Sequence, residues 1–202
     1  MRVTILHDEL PPNARPDELD ALVQADVVAD ALRELGHELT RLGMTLNLQR
    51  TAESLKELRP DCVFNLIESV ASQGRLIYLA TALLDSLGLP YTGAGTEAMF
   101  VTSCKTLCKK TLATQGVSTL PSFTGSEPDD AVGPVAGRYI IKSVWEEASV
   151  GLDDDSVQEF ASFAQLRAAL NARRSRLGGS AFAEPYVEGR EFNLSLLGGA
   201  DG

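Results

Sequence analysis

The stretch "YIIKSVWEEASVGLDDDS", Tyr139 to Ser156, ends an apolar strand in a lysine, follows it with two glutamates and a small flexible run, and closes on three aspartates. An ordinary strand-to-helix connection needs a turn residue and a cap, and neither role calls for Lys142. A lysine at the boundary of a sheet offsets its desolvation by meeting an anion or by reaching out to solvent, and its position alone leaves the two readings even. Ser149 and Gly151 supply a hydroxyl and a pliable backbone suited to phosphate oxygens. Glu146 and Glu147 oppose a simple phosphate nest unless they face away or a divalent cation intervenes. Asp153, Asp154 and Asp155 read as a solvated turn.

Working outward, the pattern from Ser103 onward is helix, strand, strand, helix, strand, strand. "TSCKTLCKKTLATQG" places Cys104, Leu107, Cys108 and Leu112 on one helical face and Lys105, Lys109 and Lys110 away from it, with Gly116 as the stop. "RYIIKSV" and "SVQEF" read as strands, and a capping box from Ser162 to Gln165 opens the next helix. "SAFAEPYV" and "REFNLSLLGG" read as two further strands joined at Glu188 and Gly189. This order describes a mixed domain of sheet and helix.

The first half alternates differently. "RVTILH" is a short apolar strand, and the segment from Asp17 carries Leu19, Leu22, Val23, Val27, Ala31, Leu32 and Leu35 at helical spacing before Gly36. A strand near Glu38 to Leu42, a helix near Thr51 to Leu58, the run "DCVFNLI", a helix closed by Gly88 and the strand "LPYTG" follow. Such alternation favours a parallel sheet covered by helices, whose ligands gather beyond the carboxyl ends of the strands. The loops after His7, Ile67 and Tyr91 are therefore the candidates, and Glu68 stands in one of them.

The chain has 202 residues, 44% of them hydrophobic and 23% charged, which is an ordinary globular mix with enough length for a real core. A net charge of −10 opposes nucleic-acid binding, and "NARRSRLGG" reads as cations at a helix C-terminus. No run of about 18 apolar residues is present to span a bilayer, and "MRVTIL" enters a strand without the layout of a signal peptide, so a cytosolic protein is expected. Three cysteines form no secreted disulfide framework and too small a set for structural zinc.

"TGAGTEA", Thr92 to Ala98, fits GxGxxA in outline, but no acid stands about twenty residues on to hold a ribose, so glycines turning a strand into a helix are favoured. Glu184 and Glu191 flank "PYVEGR". By themselves they read as two surface acids on a hairpin, though carboxylates so placed can also accept hydrogen bonds from an amino group and a sugar.

Taken in order, "VFNLIES", "LGLPYTGAGTEAMFVTSCKTLCKKTLATQGVSTLPSF", "YIIKSVWEEASVG" and "FAEPYVEGREFNLSLLGG" resemble the D-alanine–D-alanine ligases and their ATP-grasp relatives, from about Asp61 to the end. The resemblance implies an α/β protein with a Rossmann-like pre-ATP-grasp domain over residues 1–101. An incomplete ATP-grasp domain would follow, with one subdomain over 102–186 and the start of a second over 187–202. It implies ATP contacts from Lys105 and Lys142 on the phosphates, Glu146 and Ser149 in a mobile phosphate loop, Ile140 in the adenine slot, Glu184 on the adenine amino group, Val187 through its backbone and Glu191 on the ribose. Glu68 is a candidate for the substrate, and no catalytic residue is assigned. The implied reaction joins a carboxylate to an amine through an acyl phosphate, with amino acids or peptides as substrates and Mg2+ held by ligands beyond residue 202.

Departures from the family pattern leave the substrate open. "HDELPPNARPDELD" lacks the Gly-Gly-x-Ser-x-Glu pattern, Glu147 and Ala148 stand for Gly and Ser, and Cys104 replaces the Asp before Lys105. A silent nucleotide-binding or interaction module is the alternative reading, and an NAD-linked oxidoreductase using Gly93 and Gly95 a third. A homodimer is compatible with each.

Overall fold

A computed structural model describes residues 1–10, 14, 16–128, 135–146, 151–190, 192 and 194, with only the backbone described at 16–18 and 154. β1 (Arg2–Asp8), α1 (Pro16–Glu34), β2 (Glu38–Met44), α2 (Leu48–Leu58), β3 (Cys62–Asn65) and α3 (Tyr78–Leu87) build the first unit. β1 lies between β2 and β3, parallel to both, with Val3 opposite Leu39 on one side and Cys62 on the other. Val3, Ile5 and Leu6 of β1 are all buried, as expected of a parallel strand covered on both faces.

Leu6, Met44 and Val63 pack with Leu55 of α2 and with Ala80 and Leu84 of α3 on one face. On the other face Ile5 packs with Ala25 and Ala29 of α1. The apolar residues spaced along α1 divide here: Ala21, Ala25 and Ala29 are buried, whereas Leu19, Val23, Val27 and Leu35 are exposed. A stripe of alanines at every fourth position lets the helix lie close to the sheet, so size was a poor guide to its inner face. "LPYTG" forms only an isolated bridge, Tyr91 beside Val63.

α4 (Thr96–Ser103) and α5 (Lys105–Thr114) lead out of this unit. The helix expected from Thr102 to the stop at Gly116 is broken near its start at Cys104, whose backbone is extended, so Thr102 and Ser103 end α4 instead. The Lys105 N–H donates to the Val144 carbonyl at 3.0 Å, so a tertiary hydrogen bond replaces one turn of the helical ladder.

β4 (Gly137–Ser143), β5 (Val157–Phe160), α6 (Phe163–Arg173) and β6 (Ala181–Pro185) form the second unit. Its sheet is antiparallel with β4 in the middle, and Ile140 stands opposite Val157 on one side and Glu184 on the other. Tyr139, Ile141, Ala181 and Ala183 face Leu166 and Leu170 of α6. Ser162 caps α6 by accepting from the Gln165 N–H, while the Gln165 side chain accepts from Ala161 at 2.9 Å. The strand expected over 190–199 falls largely outside the described residues. Of those described there, Arg190, Phe192 and Leu194 lie in no strand, and Phe192 and Leu194 are exposed.

The aspartates expected in a solvated turn are partly structural. Asp153 accepts from the guanidinium of buried Arg173 at 2.6 Å and from Arg176 at 3.2 Å, so two of the arginines of "NARRSRLGG" anchor this turn. No helix among the described residues is long and apolar enough to cross a membrane.

After β3, Val70 and Gln73 exchange backbone hydrogen bonds across Ala71 and Ser72, both with positive φ, 54° and 55°. A two-residue turn of this hand favours Asn-Gly, and a side chain there costs on the order of 1 kcal/mol per residue. Ala71→Gly should therefore raise the free energy of unfolding in urea by about 0.5 kcal/mol, after the entropy glycine loses on folding. A destabilised variant would contradict the left-handed assignment.

Candidate nucleotide site

Strand alternation in β4 sends Tyr139 and Ile141 toward α6 and leaves Ile140 and Lys142 on the opposite face. The register brings Phe182 and Glu184 of β6 to that same face, opposite Lys142 and Ile140 respectively. Glu184 is only 8% exposed, yet carries a charge. Lys142 Nζ donates to its Oε1 at 2.8 Å, and Lys109 Nζ from α5 donates to its Oε2 at 2.6 Å. Burial pushes the Glu184 carboxyl up, but the two lysine hydrogen bonds and their charges outweigh it and hold the pKa below its ordinary value.

Lys105 begins α5 one turn before Lys109, and its Nζ donates to the Glu146 carbonyl at 2.8 Å. The helix start is seated by Cys104, which packs with Val144 and Phe182, and by Leu107 and Trp145 at their margin. The loop after β4 is seated by Ser143, whose Oγ accepts from the N–H groups of Trp145 and Glu146 and donates to the Leu177 carbonyl. Two glycines admit this loop: a Cβ on Gly74 would meet the Trp145 carbonyl oxygen at 2.7 Å, and one on Gly178 the Glu146 carboxylate at 2.9 Å.

The structure thus brings Ile140, Lys142 and Glu184 to one face of the β4–β6 pair, while Lys105 is tied to the Glu146 backbone in the loop after β4. Val187 lies just beyond β6 with its side chain exposed. Ser149 and Glu191 lie outside the described residues. Lys109, set by helical spacing away from the Cys104, Leu107, Cys108 and Leu112 face, was given no role in the sequence; its side chain is 18% exposed and fixed to Glu184. The local signal was its spacing of four from Lys105, which puts both amines on one side of α5.

Glu68 is exposed and accepts from Gln24 at 3.2 Å, beside the carboxyl end of the parallel sheet. Its neighbour in that region is Asp8, the last residue of β1, which the sequence reading did not single out. Asp8 is 8% exposed; its Oδ2 accepts from the N–H and hydroxyl of Ser69, and its Oδ1 has no hydrogen-bond partner among the described residues. Burial raises its pKa from 3.8 to about 6, against the Ser69 hydrogen bonds that lower it.

Gly93, with φ of 98°, and Gly95, which precedes α4, serve as turn residues. The open cavity beside them, about 840 Å³, is lined by Asp85 and Glu97 as well as Tyr78, Thr96 and Phe100. Two carboxylates facing that helix start are a poor setting for a dinucleotide pyrophosphate. Among the described residues no three His, Cys, Asp or Glu side chains gather to hold a metal ion, and all three cysteines are free thiols.

No protein-family model matches the chain. A D-alanine–D-alanine ligase of Gluconobacter oxydans is 32% identical over 180 residues, which cover 88% of this chain and 56% of that protein. A second ligase of that name, from Sphingopyxis alaskensis, is 32% identical over 188 residues, with the same coverage of both chains. Among solved structures, the D-alanine–D-alanine ligase of Bacillus anthracis complexed with ATP matches 94% of this chain and 60% of its own, with a TM-score of 0.66 at 16% identity. The chain is similar to D-alanine–D-alanine ligases. It spans about half the length of the curated ligases it matches. The similarity in fold covers both three-stranded sheets, since it runs over nearly the whole chain.

Asp8 generates a pH dependence. The folded protein holds its proton more tightly than the unfolded chain, so the acid lowers stability above about pH 6, and this cost fades as pH falls toward 4. Asp8→Asn should raise the unfolding free energy by roughly 1–3 kcal/mol at about pH 8 and by little below about pH 4. Urea titrations of both proteins at the two pH values measure this, and a gain independent of pH would remove Asp8 as its cause.

Proposed function

We propose that this chain is part of an ATP-dependent carboxylate–amine ligase that forms a peptide bond between amino acids through an acyl phosphate. The observation that carries the reading is the convergence of Lys142, Ile140 and Glu184 on one sheet face, with Lys105 and Lys109 of α5 set against it. It is supported by the similarity to ligases over 88% of the chain and by the likeness in fold to one of them in complex with ATP. Under this reading residues 1–101 form a Rossmann-like domain, 102–186 the first ATP-grasp subdomain, and 187–202 the start of the second. A silent binding module is not favoured, because the relatives cited are named as ligases.

In this scheme Ile140 flanks the adenine, Glu184 accepts from its amino group, Val187 offers its backbone and Glu191 holds the ribose. Lys105 and Lys142 take the phosphates, and the loop carrying Glu146 and Ser149 closes over them. A substrate carboxylate oxygen attacks the γ-phosphorus and ADP departs. The amine nitrogen then attacks the acyl carbon, the phosphate leaves with the bonding pair, and the nitrogen loses a proton. The chain's part is orientation and neutralisation of charge, which is most of what phosphoryl transfer asks of a protein. Mg2+, when bound, would add charge to the phosphate oxygens. The described residues offer no set of ligands for it, and no step here depends on it.

Glu68, near Asp8 at the carboxyl end of the parallel sheet, remains the candidate for the amino-acid substrate. The free thiols of Cys62, Cys104 and Cys108 fit a reducing, cytosolic setting.

The test is ATP-dependent phosphate release by the full-length protein in a screen of amino acids and dipeptides. At least one substrate should stimulate release, and Lys142→Ala should lower it by about a hundredfold or more while far-UV circular dichroism stays unchanged. Undiminished release in that variant would refute the phosphate role of Lys142.

A further inference from the structure

The Glu184 carboxylate is held by two amines, one on each oxygen, and the two cannot both be spared. Lys142 sits on Oε1 with its side chain 33% exposed, while Lys109 sits on Oε2 and is more enclosed, at 18%. If a nucleotide occupies this face, its phosphates draw Lys142 away and its amino group takes the vacated oxygen. A neutral N–H replaces an ammonium on a carboxylate that is almost wholly buried, and such a charge is costly without a cation beside it.

We infer that Lys109 is a positioning residue for nucleotide binding: it stays on Glu184 Oε2 as the permanent counter-ion, so that Lys142 can exchange its partner for phosphate. This inference rests on the nucleotide reading proposed above. Its geometry is built into the helix. Lys105 and Lys109 stand four residues apart on α5, and the first is tied to the Glu146 carbonyl while the second reaches β6. Lys109 thus acts through Glu184 and not on the phosphates themselves. The simpler alternative is that the pair merely fastens α5 to the sheet, since no α5 residue is fully buried.

The experiment measures binding of adenosine and of a non-hydrolysable ATP analogue to the full-length protein by calorimetry. Lys109→Met should weaken the triphosphate about tenfold or more and adenosine less than about twofold, and Lys109→Arg should restore most of the loss. In a Glu184→Gln background, where no buried charge needs a counter-ion, Lys109→Met should change triphosphate affinity less than about twofold. An unchanged ratio of triphosphate to adenosine affinity, even with lowered stability, would leave Lys109 a fastening alone and overturn the inference. An equal loss in the Glu184→Gln background would also overturn it, by making Lys109 a direct phosphate ligand. A wild-type protein that binds neither compound would remove the nucleotide reading itself, whereas a wild type that binds both leaves that reading standing whatever Lys109 does.

Discussion

A carboxylate that is nearly inaccessible to water must be matched by cations, and Glu184 is matched twice, from β4 and from α5. That requirement ties together three segments far apart in the chain. It sets α5 against the open face of the second sheet, and it keeps the Lys142 amine on that face in place of free solvent. A buried pair of this kind adds less to stability than it does to arrangement, because desolvation consumes much of the attraction. In the nucleotide reading proposed above, it holds charge where an anionic ligand needs it.

The surrounding contacts serve the same arrangement. The break at Cys104 frees the Lys105 N–H to bond to Val144, which starts α5 at the mouth of the loop after β4. Ser143 gathers the next two backbone N–H groups, and Gly74 leaves room for the Trp145 carbonyl. The 3₁₀ turn before α3 belongs to the first unit, so the loop beside the lysines is shaped partly by a segment outside the second sheet.

The two units place carboxylates in contrasting settings. Glu184 is buried with two cations and is held ionised. Asp8 is buried with Ser69 as its donor and is pushed toward the neutral acid. Charge partners, not depth alone, decide the outcome. Asp8 stands at the carboxyl end of a parallel strand, where ligands of such sheets collect, and the sequence reading passed over it because a single acid after an apolar run carries no spacing signal.

Much of this was legible along the chain. Strand period placed Lys142 and Ile140 together and opposite to Tyr139 and Ile141, and glycines such as Gly36 and Gly88 ended the helices where expected, because these rules act over a few neighbouring residues. What tertiary structure alone decided was which faces meet: the alanine side of α1 against Ile5, the broken helix at Cys104, and Lys109 drawn onto a glutamate 75 residues away. Local periodicity cannot report such choices, since the energy of burying a face or pairing a charge depends on a distant partner that the same rules place without reference to it.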